Sequence, residues 1–387
     1  MNNTKPTNGS RPPEISGLRT WIEIDKKALA SNYEVFRKRI GKKTKLMAVV
    51  KSNAYGHGLV DFSKEICKLG ADRLAVDSVV EAVTLRKQGI DTPILVLGYT
   101  LPERLDDVLN HDVSISVSSL DQLSALSGNS GGQEISVHVK VDTGMHRQGF
   151  LPNELDKVIS FFKTHGKIKP EGLFTHFSSA KNPSFPDYTK SQIREFERWR
   201  EAFKKAGFTF ISHASATAGS LLFPGANYDM VRIGIGLYGL WPSKETKHFL
   251  GDKMELLPIL SWLTVISETK KLPKGSKIGY DCTETLERDS LVGVCPIGYW
   301  HGYPRTLSSI GHVIVKGKKA RILGRVSMDM ISVDLTDISD AVAGDHVTLI
   351  GNDGKENVTA NEIADLSDTS YYEIVTRLNP LIKRIYN

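Results

Sequence analysis

Cysteine is scarce, with three in 387 residues, and Cys67, Cys282 and Cys295 form no CxxC pair and no metal-ligand spacing. That excludes a disulfide-stapled or zinc-held scaffold, and it suits a reducing compartment, so a cytoplasmic protein without a resident metal is expected. Long apolar runs are missing too. Stretches such as Pro93-Ile94-Leu95-Val96-Leu97 fall far short of the roughly 20 residues that span a bilayer, so no membrane contact is expected. Residues 1–18 lack the apolar core of a signal peptide and are rich in Asn, Pro, Ser and Thr, which predicts a disordered tail. The net charge of +6 is spread along the chain, with no arginine-rich run and no basic stripe interleaved with aromatics, and this speaks against nucleic acid as a partner. There is no repeat at fixed period and no low-complexity segment.

What is present is enough apolar side chain, 40%, to bury a large core, in a chain too long for one compact unit. Short β-branched runs alternate with amphipathic helical stretches about eight times, from Leu46–Val50 to Met230–Ile235. The pattern predicts an α/β fold: an N-terminal (β/α)8 TIM-type barrel over 19–243, with a doubly wound open sheet as the competitor. After Leu240-Trp241-Pro242-Ser243 the texture turns to strands separated by glycine turns, which predicts a mostly-β C-terminal domain over 244–387.

The stretch Met47-Ala48-Val49-Val50-Lys51-Ser52-Asn53-Ala54-Tyr55-Gly56-His57-Gly58 drives a lysine from an apolar strand into a glycine-punctuated turn. A lysine partly desolvated at a strand mouth shifts toward its neutral, nucleophilic form and can capture an aldehyde cofactor; the blander reading is a strand meeting solvent. In a barrel the working groups sit where strands run out, and here those positions carry Lys51, Asp142 with Arg147, His176, Thr217 and Arg232, a set suited to an anion. Two motifs mislead. Asp142-Thr143-Gly144 looks like an aspartic protease, which needs a second such carboxylate that the chain does not have. Gly234-Ile235-Gly236-Leu237-Tyr238-Gly239 fits a dinucleotide fingerprint, yet it follows the last β/α unit, where glycine amides of a barrel cradle a single phosphate.

The lysine turn, Asp142-Thr143-Gly144-Met145-His146-Arg147, Val231-Arg232-Ile233-Gly234 and Gly324-Arg325-Val326-Ser327-Met328-Asp329 occur together and in order, and from about Thr20 to the last residues the chain resembles the bacterial alanine racemases. The resemblance implies a cytoplasmic homodimer with shared active sites that uses pyridoxal 5′-phosphate to interconvert L- and D-alanine for peptidoglycan. Lys51 would hold the cofactor and act as one base; Tyr280, from the partner's β domain, would be the other. A phenol with an ordinary pKa of about 10 needs help to act near neutrality, which the family supplies through a chain from tyrosine to histidine to arginine, here Tyr280, His176 and Arg232. Arg232 would face the pyridine nitrogen. Arg147 would bond the phenolic oxygen and lie near the substrate carboxylate, and Lys140 matches a lysine that carries a carbamate (N6-carboxylysine). Thr217, Gly234, Ile235, Tyr55 and Tyr372 would cradle the phosphate. Met328 would offer its N–H to the substrate carboxylate, and Tyr299 with Tyr372 would narrow the entrance.

Three positions depart from the family pattern: Ala216-Thr217 stands for the usual Asn-Ser, Asp281 for the glycine after the tyrosine, and His301 for an acidic residue. Ser215 could supply the hydrogen bond that an alanine side chain at 216 cannot make. The rivals are a broader alanine/serine racemase, a decarboxylase of the same barrel class with a differently built C-terminal domain, and a non-catalytic cofactor carrier. The last would lack the β domain and hence Tyr280.

Overall fold

The structure, a computed structural model, describes residues 15–129 and 132–387, in two compact units: residues 26–259, and the segment through Asp25 together with Leu260–Asn387. The chain's first strand, β1 (Thr20–Ile24), belongs to the second unit. The first unit contains eight parallel strands, β2 (Lys45–Val49), β3 (Arg73–Val76), β4 (Ile94–Val96), β5 (Ser114–Val117), β6 (Ile135–Lys140), β7 (Ile168–Phe174), β8 (Ile211–His213) and β9 (Met230–Ile233). Each pairs with the next from β2 to β8, and β9 returns to β2 in the register Lys45↔Met230 to Ala48↔Ile233. A bridge between Ala216 and Arg232, where the Arg232 N–H donates to Ser215 C=O at 2.9 Å, draws β8 and β9 together. This is the barrel; an open doubly wound sheet would reverse its strand order about an internal first strand and leave two unpaired edges.

Helices cover the strands because their apolar residues recur at helical spacing. Lys26–Ile40 buries Leu29, Tyr33, Phe36 and Ile40 on one face, and Asp187–Lys205 buries Phe196, Trp199 and Phe203. With side chains packed on both faces, β3 and β9 are buried throughout, and each carries one arginine, Arg73 and Arg232, among its apolar residues.

The second unit is a mostly antiparallel sheet. β1 pairs antiparallel with β10 (Leu260–Val265) from Thr20↔Thr264 to Ile24↔Leu260, and parallel with Lys383–Tyr386. From β10 the sheet continues through His346–Asp353, His312–Val315, Lys318–Leu323, Ile331–Asp334 and Ser290–Cys295 to Glu268–Leu272.

These units differ from the boundaries read at 19, 243 and 244. β1 leaves the barrel because its partners lie some 240 residues away, a pairing invisible to local pattern. Residues 244–259 stay with the barrel because the buried Asn32 amide accepts from Leu257 N–H and donates to Leu257 C=O, both at 2.8 Å. Of the expected tail, residues 1–14 lie outside the described residues, while Ile15 is buried in a cluster with Trp21, Val265 and Ile385, so the tail reading does not hold through residue 18. Among the described residues no helix is long and apolar enough to cross a membrane.

Candidate active site

β2 delivers the chain into the barrel mouth, and Lys51 follows Val50, whose N–H is held by Ala75 C=O at 2.8 Å. The turn then takes a form the sequence did not announce. Ser52, Asn53, Ala54 and Tyr55 all adopt left-handed backbone, with φ of 57°, 56°, 50° and 52°, before Gly56 and Gly58 close it. Each such non-glycine residue costs roughly 1–2 kcal/mol, so the surroundings must impose the conformation. They do so mainly through Glu81, whose Oε1 accepts from Ser52 N–H at 2.7 Å and Asn53 N–H at 3.3 Å while its Oε2 takes Asp77 N–H at 2.8 Å. The Asn53 carboxamide accepts from Leu59 N–H, and the buried His57 ring donates through Nδ1 to the Ala54 and Tyr55 carbonyls. Glu81 escaped the sequence reading because Ser78-Val79-Val80-Glu81 has the form of a helix capping box, a signature that hides a carboxylate turned toward another turn. Glu81→Ala strands these donors and should lower unfolding free energy by about 1–3 kcal/mol, read by urea denaturation, with faster amide exchange at Ser52 and Asn53.

Lys51 is partly covered rather than buried. Its side chain is 38% exposed, with Nζ 3.5 Å from Asp77 Oδ1. The buried amine of the mouth is Lys140, pushed down to about 8 by burial and then by Arg147 and Arg232, with its Nζ donating to Gln148 Oε1 at 3.3 Å. Asp142 works on its own turn, accepting from Gly144 and His146 N–H at 2.9 and 3.0 Å.

Arg232 is buried within β9. Its guanidinium donates to the carbonyls of Thr175, His213 and Ala214 at 2.7–2.9 Å and to His176 Nδ1 at 3.2 Å, so the His176 ring proton sits on Nε2. Burial lowers the Arg232 pKa to about 9, which still leaves it charged at neutral pH. Burial, then the charges of Arg232, Arg147, Lys140 and Lys51, push His176 down to about 3. Four cations thus act on one neutral imidazole.

Thr217 lies beside them, its Oγ1 accepting from Gly234 N–H at 3.3 Å. A Cβ at Gly234 would stand 2.8 Å from the Tyr55 hydroxyl, and one at Gly236 2.3 Å from Phe36, so the glycines of this run serve close packing. Ile235 is buried between them. Ser215 does not supply the hydrogen bond considered for it, because its hydroxyl donates to Ala226 C=O at 2.9 Å.

The barrel unit therefore gathers Lys51, Tyr55, Lys140, Arg147, His176, Thr217, Arg232, Gly234 and Ile235. The remaining residues lie in the second unit. Tyr280 is 69% exposed, between Gly279 and the left-handed Asp281, whose carboxylate pairs with Arg325 at 2.8 Å. Tyr299 and Met328 come together where Tyr299 N–H bonds Ser327 C=O and Trp300 N–H bonds Met328 C=O, an approach that a Cβ at Gly298 would block. His301 replaces the expected acid as an acceptor: its Nδ1 takes Gly298 N–H at 3.2 Å. Tyr372 lies in the first turn of the helix Tyr371–Thr376, with its N–H on Ser370 Oγ.

Positive charge this concentrated, beside glycine amides and a hydroxyl, fits a phosphate-bearing anion, and the lysine on its strained turn fits an aldehyde. Fold and site define a barrel-type pyridoxal-phosphate enzyme. The family described as "Alanine racemase, N-terminal domain" matches residues 24–242, and "Alanine racemase, C-terminal domain" matches 259–386. The chain belongs to the alanine racemase family. It is 39% identical over 377 residues to the alanine racemase of Symbiobacterium thermophilum, covering 96% of this chain and 98% of that one. Among solved structures, the alanine racemase of Bacillus anthracis with bound L-Ala-P superposes with a TM-score of 0.90 at 34% identity, covering 95% of each chain. That of Bartonella henselae with covalently bound pyridoxal phosphate gives 0.84 at 26% identity, covering 95% of this chain and 99% of that one.

Proposed function

We propose that this chain is an isomerase that interconverts L-alanine and D-alanine in the cytoplasm, as a homodimer with shared active sites, and so supplies D-alanine for peptidoglycan. The observation that carries the reading is the buried Arg232, a permanent donor held by three carbonyls at the barrel mouth.

Pyridoxal 5′-phosphate, held on Lys51, supplies the electron sink that makes the α-proton of an amino acid removable. A positioned base alone contributes roughly 10²–10⁴-fold. Lys51 moves the proton on one face of the α-carbon, and Tyr280 of the second unit, brought by the partner subunit, moves it on the other. Arg232 donates toward the pyridine nitrogen and, staying protonated, leaves that nitrogen without a proton, which restrains transamination. Arg147 bonds the phenolic oxygen and faces the substrate carboxylate, which Met328 meets with its backbone N–H. Tyr55, Thr217, Gly234, Ile235 and Tyr372 hold the phosphate, and Tyr299 with Tyr372 keeps the entrance small. Purified protein given a panel of L-amino acids, with products separated by chiral chromatography, should racemise alanine well ahead of serine; a flat response, or serine first, overturns the reading.

Lys140 and Arg147 are both cations and act on the same imidazole. The depressed pKa of Lys140 leaves a large neutral fraction near pH 8. Its amine adds to CO₂ with loss of a proton, and the resulting carbamate anion turns repulsion from Arg147 into attraction. Activity should fall in CO₂-free buffer and return when CO₂ is restored, with more CO₂ needed at lower pH, where the neutral amine is scarcer. Indifference to CO₂ counts against the modification.

A further inference from the structure

A chain of polar side chains runs through the barrel core from its floor to the mouth, and the functional reading above uses only its last members. At the floor, where β3 and β5 begin, Arg73 and Ser114 both donate to the Glu171 carboxylate. Arg73 Nη1 lies 3.1 Å from His138 Nε2, His138 Nδ1 lies 2.7 Å from His213 Nε2, and His213 Nδ1 lies 2.8 Å from Arg232 Nη1. The rings are fixed in place. A Cβ at Gly172 would stand 2.1 Å from His138 Nδ1, so only glycine leaves room for that ring, and His213 stacks on Phe174 at 4.8 Å with planes 2° apart.

Counting protons shows a conflict. Guanidinium groups only donate, so the nitrogens facing Arg73 and Arg232 should both be bare, and the contact between the two rings accommodates one proton. Two neutral imidazoles carry two. Both rings are fully buried, and that burial with the neighbouring arginines keeps them from taking a further proton, which would only add to the conflict. One proton must leave the line of contacts. Among the described residues its acceptor is Glu171, whose Oε2 is 3.4 Å from His138 Nε2. Burial acts to raise the Glu171 pKa, but the hydrogen bonds from His138 and Arg73 outweigh it and keep the carboxylate ionised.

We propose that Glu171 sets the tautomers of both histidines, drawing the His138 proton to Nε2 so that His213 also carries its proton on Nε2 and keeps Nδ1 bare for Arg232. Glu171 is then a positioning residue that acts on Arg232 from the opposite end of the barrel. Its effect on turnover rests on the role proposed for Arg232, whereas the tautomers themselves do not.

The test is ¹⁵N-histidine-labelled holoenzyme, in which long-range nitrogen–proton correlations report the proton-bearing nitrogen of each ring. In the native protein both His138 and His213 should be protonated on Nε2. In Glu171→Ala both protons should move to Nδ1, and kcat should fall on the order of ten- to a hundredfold, as geometry at Arg232 is lost. Glu171→Gln keeps an acceptor oxygen and should keep the Nε2 pattern and most of kcat. A proton on His213 Nδ1 in the native protein overturns the proposal, as does a Glu171→Ala protein that loses activity with its tautomers unchanged. Should Glu171→Ala fail to fold, the native protein and Glu171→Gln still decide. Failure of Lys51→Ala to release the cofactor would instead overturn the reading of the mouth.

Discussion

Lys51→Ala should abolish the absorption band of the bound cofactor and the racemase activity together. On the proposed reading two functions meet in one amine: covalent attachment and proton transfer at the α-carbon. The loss should therefore exceed the roughly 10²–10⁴-fold of a missing base. Among the described residues no other amine of the mouth is placed to compensate. Lys140 is buried within β6 and bonded to Gln148, whereas Lys51 leads a turn whose left-handed backbone is held by Glu81 and Asn53. The fold should survive, because the Lys51 side chain is 38% exposed and its pairing with Asp77, at 3.5 Å between half-exposed groups, is worth little. Far-ultraviolet circular dichroism unchanged beside a lost band and lost turnover is the expected outcome. A variant that keeps the band locates the cofactor elsewhere.

The barrel was legible because parallel strands covered on both faces are dominated by apolar, β-branched residues, and about eight such runs between helical stretches leave few alternatives. The strand-exit rule then gathered Lys51, Arg147, His176, Thr217 and Arg232 from a line of text. It could not show the interior. In Ile135-Ser136-Val137-His138-Val139-Lys140 the alternation reads as one buried and one solvent face, yet His138 is fully buried and Lys140 nearly so, because in a closed barrel the polar face turns into the core. Lys51 is less enclosed than Lys140 because its strand ends two residues before it, at Val49, and the lysine opens the turn that follows. β1 was misplaced because sheet pairing across the length of the chain leaves no local trace. The departure at His301 became intelligible only with Gly298 N–H on its Nδ1, an acceptor's task that an acid would also perform.

Tyr280→Phe should separate the two faces of the reaction. L- and D-alanine are equal in free energy, so net racemisation must fall by the same factor in both directions, whatever the residue does. The asymmetry appears in exchange of the α-hydrogen with deuterated solvent. D-Alanine, deprotonated by Lys51, should keep exchanging without inversion, while exchange from L-alanine drops roughly 10²–10⁴-fold with the loss of its base. Equal losses for both enantiomers would sink the two-base assignment. The phenol is 69% exposed on its own chain, on a turn pinned by Asp281 and Arg325, as befits a group offered to a neighbouring molecule. That geometry makes a second test possible. If each site takes Lys51 from one subunit and Tyr280 from the other, a mixed dimer of Lys51→Ala and Tyr280→Phe chains holds one site with both defects and one with neither. Random assortment of the two inactive variants should then restore roughly a quarter of native activity, since half the dimers are mixed and one of their two sites is intact. Were both residues drawn from the same chain, every site in the mixture would carry a defect and no activity would return.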